Sequence, residues 1–182
     1  MHDFSSQEVK VNKTLTELRS FPVACMEIFM LEQAQLRKAQ QEARVLQQLA
    51  SAFKWKVRRN YSEALKEGRT LVVTDAAKRI LWTNHRFLTM TGYTIQEAIG
   101  QTPNFLQGIE TDSTTVRRLS EKLRKSAKSP RAYSVQETLL NYRKNGEPYW
   151  CEIRIDPLVN HDGQLTHYMA VEREITNHLV AV

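Results

Sequence analysis

The sequence predicts an α+β fold, in which a five-stranded antiparallel sheet with short helices on one face follows an N-terminal helical region. The chain has 182 residues and no glycine before Gly68, and strand and turn signals appear only after it. Two hairpin signals, KNGEP and NHDG, separate the last three apolar segments. We therefore expect a helical region at 1–68, a sheet domain at 69–176 and a tail at 177–182.

The helical region contains a heptad pattern. One helix is predicted to run from Val23 to about Arg59, and its second half places seven apolar residues on one stripe. Such a stripe is typical of the seam of a coiled coil or a helical hairpin. We expect it to form a homodimer interface, and the alternative is a helix that packs on its own domain. The predicted interface consists of Leu36, Ala39, Ala43, Leu46, Ala50, Phe53 and Val57.

Strands and short helices are predicted to follow Gly68. TLVVTD and ILWTN read as the first two strands, and Asn84, Thr94 and Asp112 are predicted to cap the helices that follow them. The helix after Asp112 is basic and extends to about Lys128. Three strands joined by hairpins complete the sheet, and they are YSVQETLLNYR, EPYWCEIRIDPLV and QLTHYMAVEREIT.

The composition is that of a water-soluble domain. The first residues lack an apolar signal-peptide core, and no segment is long and apolar enough to span a membrane. We therefore expect a cytoplasmic protein. The net charge is +6, with basic clusters at 54–59 and 116–131. We interpret both clusters as solvated helix faces, so nucleic-acid binding is the weakest of the functions considered.

The block from about Thr70 to Thr176 carries three motifs, VTDAAKRILWTNHRFLTMTGY, GQTPNFLQGIETD and NYRKNGEPYWCEIRIDPLVNHDGQLTHYMAVEREIT. Together they resemble a PAS domain, the small sensory fold of kinases, phosphodiesterases and transcription regulators. Within PAS domains the block is similar to the LOV (light, oxygen, voltage) group, whose members bind a flavin nucleotide and sense blue light. NFLQGIETD and NYRKNG are the segments most typical of that group.

The LOV resemblance implies a reactive thiol that this chain lacks. The family pattern G-x-N-C-R-F-L-Q reads GQTPNFLQ here, with Pro103 where the cysteine would be. Proline has no nucleophile, so the light-driven bond from sulfur to flavin cannot form at this position. By the same resemblance, Thr102 replaces an asparagine that would contact the flavin tail, and Asn104 replaces an arginine that would pair with its phosphate.

The resemblance assigns the other flavin contacts to positions that are partly retained. Gln107 matches a tail contact, Arg117 a phosphate contact, and Asn141 an asparagine that bonds the ring edge. Cys151 and Glu172 stand where an asparagine and a glutamine would be. We expect Cys151 to be a core residue and Glu172 to be an acceptor that pairs with a base such as Arg154.

The expected function is therefore a sensory PAS module without cysteinyl-adduct photochemistry. We expect it to act through dimerisation and contacts with an unidentified signalling protein, by way of its N-terminal helices. The alternative is a flavin-binding photoreceptor or redox sensor that works without the cysteine. FMN (flavin mononucleotide) is thus a possible ligand at a degraded site. The sequence contains no arrangement typical of an enzyme or a metal site.

Overall fold

The computed structural model describes residues 23–57, 59–129 and 131–176. The remaining segments, among them the first part of the predicted helical region and the predicted tail, lie outside the described residues. Chain contacts divide the protein into two compact units, Met1–Gln41 and Glu42–Val182. Residues 42–67 therefore belong to the same unit as the sheet, whereas the sequence suggested a boundary at residue 68.

Six helical segments and five strands make up the described chain. The helices are α1 (Val23–Ala52), α2 (Tyr61–Lys66), α3 (Arg86–Thr91), α4 (Ile95–Ala98), a 3₁₀ turn (Pro103–Leu106) and α5 (Ser113–Lys128). The strands are β1 (Thr70–Asp75), β2 (Ile80–Thr83), β3 (Val135–Tyr142), β4 (Pro148–Val159) and β5 (Leu165–Ile175). All pair antiparallel in the order β2-β1-β5-β4-β3, which confirms the predicted five-stranded sheet.

Helix α1 ends at Ala52, seven residues before the predicted end. Lys54 adopts a left-handed conformation with φ of 54°, which interrupts the helix. Trp55 then forms a β-bridge with Asn160, and the Lys56 amide donates to the Val159 carbonyl at 2.8 Å. The prediction of an unbroken helix to Arg59 was wrong because these partners lie about a hundred residues away in sequence.

The inner face of the sheet packs against the short helices. Val72 and Ala170 on the sheet contact Phe87, Ala98 and Leu106 in one apolar cluster. A second cluster joins α5 to the sheet through Leu119, Leu123, Val135, Leu139 and Tyr168. The predicted ligand positions on β3, β4 and β5 therefore face an interior that the helices cover.

Two of the three predicted helix caps are present. Thr94 and Glu97 form a capping box, and the Asp112 carboxylate accepts from the amides of Thr114 and Thr115. The prediction for Asn84 was wrong. Its side chain is buried, accepts from the Leu71 amide at 3.0 Å and donates to the Arg69 carbonyl at 2.9 Å, so it holds the start of β1.

The outer face of the sheet is covered in part by residues 53–57 and 59–66. The Trp55 indole donates to His167 Nδ1 at 3.0 Å, and the Phe53 ring lies 4.2 Å from the His167 ring, centroid to centroid. The Tyr61 hydroxyl donates to Asp156 Oδ2 at 3.0 Å. The segment between α1 and β1 is thus attached to β4 and β5 by buried side chains.

Asp156 is the centre of this attachment. Besides Tyr61, it accepts a short hydrogen bond from the Ser134 hydroxyl and pairs with Arg59 at 3.6 Å and Arg154 at 3.7 Å. Its side chain is only 9% exposed. Burial and the neighbouring Asp156 raise the pKa of Tyr61, so its hydroxyl remains a donor.

Candidate functional site

An internal cavity of about 90 Å³ lies between the inner face of the sheet and the helices. Its walls are mostly apolar and come from β1, β3, β4, β5, the 3₁₀ turn and α5. A small number of polar groups in an apolar cavity is typical of a ligand site, because those groups set the orientation of the ligand. The polar lining residues are Thr74, Lys78, Asn104, Gln107, Ser120, Asn141 and Glu172.

The structure brings five of the seven predicted ligand residues to this cavity: Pro103, Asn104, Gln107, Asn141 and Glu172. Two segments far apart in sequence meet here, the 3₁₀ turn at 103–107 and the inner positions of β3 and β5. Cys151 and Arg117 do not line the cavity.

The 3₁₀ turn forms one wall and begins with Pro103. Proline is favourable at the first position of a helical turn, where an amide N–H has no intrahelical acceptor. Gln107 follows the turn, and its side-chain amide donates to Asn104 Oδ1 at 3.4 Å. At Gly108 a Cβ would lie 2.4 Å from the Tyr142 ring, so only glycine lets the chain leave the turn this close to β3.

Glu172 is the only carboxylate among the cavity-lining residues. It is 5% exposed, and burial raises its pKa from 4.5 to about 7. Below pH 7 the carboxyl is mostly neutral, with one O–H donor beside its carbonyl acceptor, so that like an amide it can both donate and accept. The sequence identified Glu172 as an acceptor only in its ionised form, and the raised pKa favours the neutral form, which can also donate.

The expected pairing of Glu172 with Arg154 is absent. Glu172 lies directly opposite Ile153 in the β4–β5 register, and Arg154 lies opposite Val171. Because successive side chains of a strand point to opposite faces, Arg154 lies on the outer face with Asp156. Glu172 instead contacts the Cys151 thiol, with 3.9 Å between Sγ and Oε2.

Cys151 is buried beside the cavity and packs in a cluster with Met90 and Tyr149. Burial raises the pKa of its thiol, and the nearby Glu172 adds to this effect. The thiol therefore stays protonated at neutral pH, the state in which cysteine is a poor nucleophile. This environment is that of a core residue.

Asn141 is buried on β3 and faces the cavity. It lies opposite Tyr149 in the register, and the Arg143 guanidinium lies 4.7 Å from the centroid of the Tyr149 ring. These neighbours fix the end of β3, where the Asn141 side chain faces the cavity. An alternative role as a solvent-facing hairpin residue does not agree with this burial.

Two polar residues at the edge of the cavity were missed by sequence reasoning. Lys78 and Ser120 line it, and Lys78 Nζ donates to Ser120 Oγ at 3.4 Å. Lys78 has a φ of 64°, unusual for a residue with a side chain. Arg117 lies on the exposed side of α5, in an external groove that Lys78 and Ser120 also line. No local pattern links positions 78 and 120.

Among the described residues, no group of three or more His, Cys, Asp or Glu side chains is placed to hold a metal ion. In the same part of the chain, no helix has the length and apolar character needed to cross a membrane. Within the described chain, the cavity is therefore the feature whose lining is most typical of a ligand site.

A family profile described as a PAS domain matches residues 68–177. Blue-light-activated histidine kinase 1 of Erythrobacter litoralis (strain HTCC2594) is 36% identical over 98 residues, which are 54% of this chain and 26% of the relative. Phototropin-2 of Oryza sativa subsp. japonica is 33% identical over 113 residues, 60% of this chain and 12% of the relative. The chain thus spans about a quarter or less of the length of these relatives.

Solved structures show the same similarity. The dark structure of the blue-light photoreceptor Aureochrome1 LOV aligns with a TM-score of 0.58 and 27% identity, covering 67% of this chain and 87% of that one. The LOV domain of a blue-light activated histidine kinase from Erythrobacter litoralis aligns with a TM-score of 0.53 and 28% identity, covering 60% and 97%.

Proposed function

Because this chain belongs to the PAS-domain family, and its relatives and structural neighbours include LOV domains, we propose that it is a sensory signalling module that works without cysteinyl-adduct photochemistry. A PAS or LOV domain is a sensory module and does not itself catalyse a reaction. The observation that carries the proposal is Pro103, which lines the cavity at the position that the resemblance assigns to the reactive thiol. Cys151, outside the cavity, has a raised thiol pKa.

Substitution of Pro103 by cysteine tests this proposal. We expect P103C, like the wild type, to show no blue absorption band that bleaches under blue light and recovers in the dark. The reason is that Asn104, Cys151 and Glu172 also differ from the flavin contacts of the group. The measurement is the absorption spectrum of each purified protein before and after illumination, with P103A as the control for loss of proline.

A reversible bleach in P103C but not in P103A would contradict this expectation. It would show that a flavin lies within bonding distance of position 103. A blue absorption band in the wild type that illumination does not bleach reversibly would favour the second candidate function.

The second candidate is a flavin-binding sensor that works without the cysteine. The polar lining fits such a group in part, because Asn141 and a neutral Glu172 offer donors and acceptors to a ring edge. Gln107 could bond the tail, and Lys78 could pair with its phosphate, since an arginine is absent at position 104. A bound flavin would supply absorption of blue light, and these residues would bind and orient it.

We further propose that the module self-associates through α1. The part of α1 in the first unit exposes large apolar side chains, with Leu31 at 63% and Leu36 at 39%. Apolar side chains exposed on a helix are stabilised when another surface buries them. A second copy of this chain offers a helix with the same heptad spacing. The other large apolar side chains exposed in this part of α1 are Met26, Ile28, Phe29 and Met30.

The seven residues of the predicted seam differ in exposure. Leu36 is exposed, whereas Leu46 is 7% exposed within its own chain. Phe53 stacks on Trp55 and, like Val57, follows the end of α1. Ala43 and Ala50 are half-buried, and Ala39 is buried. A charge at Leu46 would thus disturb the fold, and Leu36 is the better position at which to test self-association.

Leu36→Glu is expected to convert a dimer into a monomer, because a buried carboxylate in an apolar seam is costly. The measurement is molar mass by light scattering across a range of concentrations. Gln35→Glu adds the same charge at the neighbouring exposed position of α1 and should leave the mass unchanged. A monomeric wild type, or an L36E protein that stays dimeric, would refute this interface.

A further inference from the structure

A groove of about 590 Å³ runs along the outside of α5 and shares lining residues with the cavity. Leu123 and Tyr168 form its buried floor, and the half-buried Ala127 and Leu165 extend that floor. Lys78, Ser120, Leu123 and Tyr168 line both the groove and the cavity. The groove is therefore an apolar surface that shares a wall with the candidate sensory site.

Cations form the rim of the groove. Arg117, Arg124 and Lys128 are exposed and lie on one face of α5, seven and four residues apart, and Lys78 faces them from the β1–β2 turn. Glu121 is the one acid among the lining residues. Four cations against one carboxylate give the rim a clear positive excess.

The opposite side of α5 provides a comparison. There Arg118 and Lys122 both pair with Glu137, at 2.9 and 2.6 Å, and Arg118 is the main cause of the lowered Glu137 pKa of about 2. Across the described chain, no carboxylate lies within ion-pair distance of Arg117, Arg124 or Lys128. The cations on one face of α5 are thus paired within the domain, and those on the other face are left to solvent.

We propose that this groove docks an acidic amphipathic segment of a partner protein. Its apolar residues would cover the floor, and its carboxylates would pair with the rim. From Arg117 to Lys128 the groove follows about 16 Å of helix, at 1.5 Å per residue, which suits about three turns of a partner helix. The apolar floor favours a protein segment over nucleic acid, because a phosphate backbone needs no apolar surface.

The groove also shares side chains with the candidate sensory cavity. A segment docked on the groove contacts Lys78 and Ser120, which form part of the wall of the cavity. Occupation of the cavity and of the groove would therefore change the same two side chains. This inference goes beyond self-association through α1.

The test uses the full chain and a fluorescein-labelled synthetic peptide with leucines at i, i+3, i+4 and i+7 and glutamates on the flanking faces. Binding is followed by fluorescence anisotropy. We expect the R117E/R124E double variant to weaken binding by about tenfold or more, since both rim charges are reversed. Lys125→Glu, an exposed charge reversal on α5 outside the groove, should change binding by less than about twofold.

Three further arms complete the test. A peptide with glutamine in place of glutamate, and a scrambled peptide of equal charge, should both bind weakly. Lys128→Glu, a second rim variant, should weaken binding in the same direction if the double variant does not fold. The proposal is overturned if the wild type does not bind the peptide, or if K125E weakens peptide binding as much as R117E/R124E does. It is also overturned if duplex DNA binds more tightly than the peptide.

Discussion

Replacing Glu172 with glutamine is expected to stabilise the protein by about 3 kcal/mol at pH 8 and by almost nothing at pH 4. In the folded protein the pKa of Glu172 rises from 4.5 to about 7 because of burial. Each pH unit of that rise corresponds to about 1.36 kcal/mol. A raised carboxyl pKa stabilises the fold fully below the unfolded-state pKa, and this contribution is lost as pH rises from about 4.5 to 7.

Glutamine retains the size and the donor and acceptor of the neutral acid but cannot ionise. The free energy of unfolding of E172Q and the wild type, measured by urea denaturation at several pH values, should therefore diverge as pH increases. Glu121→Gln, at an exposed position of α5, is the control, and its difference from the wild type should stay within about 0.5 kcal/mol. If E172Q differed from the wild type equally at every pH, Glu172 would not be the buried titrating group.

Substitution of Asp156 by alanine is expected to lower the free energy of unfolding by about 3–5 kcal/mol. The carboxylate accepts from Tyr61 and Ser134 and pairs with Arg59 and Arg154. Without it, the buried Tyr61 hydroxyl loses its acceptor, and the charge of the half-buried Arg154 side chain loses its counter-charge. We also expect faster hydrogen exchange in α2, because Tyr61 then lacks its bond to β4.

Glu152→Ala is the matched control on the same strand and face. Glu152 pairs with Arg173 at the surface, and exposed pairs contribute about 1 kcal/mol or less. Urea denaturation of both variants, with hydrogen exchange measured for residues 61–66, checks the prediction. Equal costs for D156A and E152A would mean that Asp156 does not attach the segment to the sheet.

The sheet domain could be predicted in detail because its signals are local. The turn sequences KNGEP and NHDG mark both hairpins, and the caps at Thr94 and Asp112 need only neighbouring residues. The end of α1 and the role of Asn84 could not be predicted in this way. Trp55 meets Asn160 and His167, and Asn84 bonds the backbone of β1, so both depend on distant partners.

The candidate site was predictable where the resemblance assigned positions, as at Asn141 and Glu172. The protonation of Glu172 was not, because the pKa depends on how deeply the sheet buries it. Lys78 gave no signal, because its left-handed position carries no glycine or asparagine and it meets Ser120 only in the folded chain. The strand alternation that separates Arg154 from Glu172 was visible in the sequence, and applying it would have excluded their pairing.

Pro103 has a second effect, on the unfolded chain. A proline at a compatible position reduces the conformational entropy of the unfolded state and stabilises a protein by about 0.4–1 kcal/mol. Position 103, at the start of the 3₁₀ turn, is compatible. The residue at the position that the resemblance assigns to the reactive thiol therefore also stabilises the fold through its effect on the unfolded chain. Substitution of Pro103 by cysteine would supply a thiol and lose this entropic stabilisation in the same step.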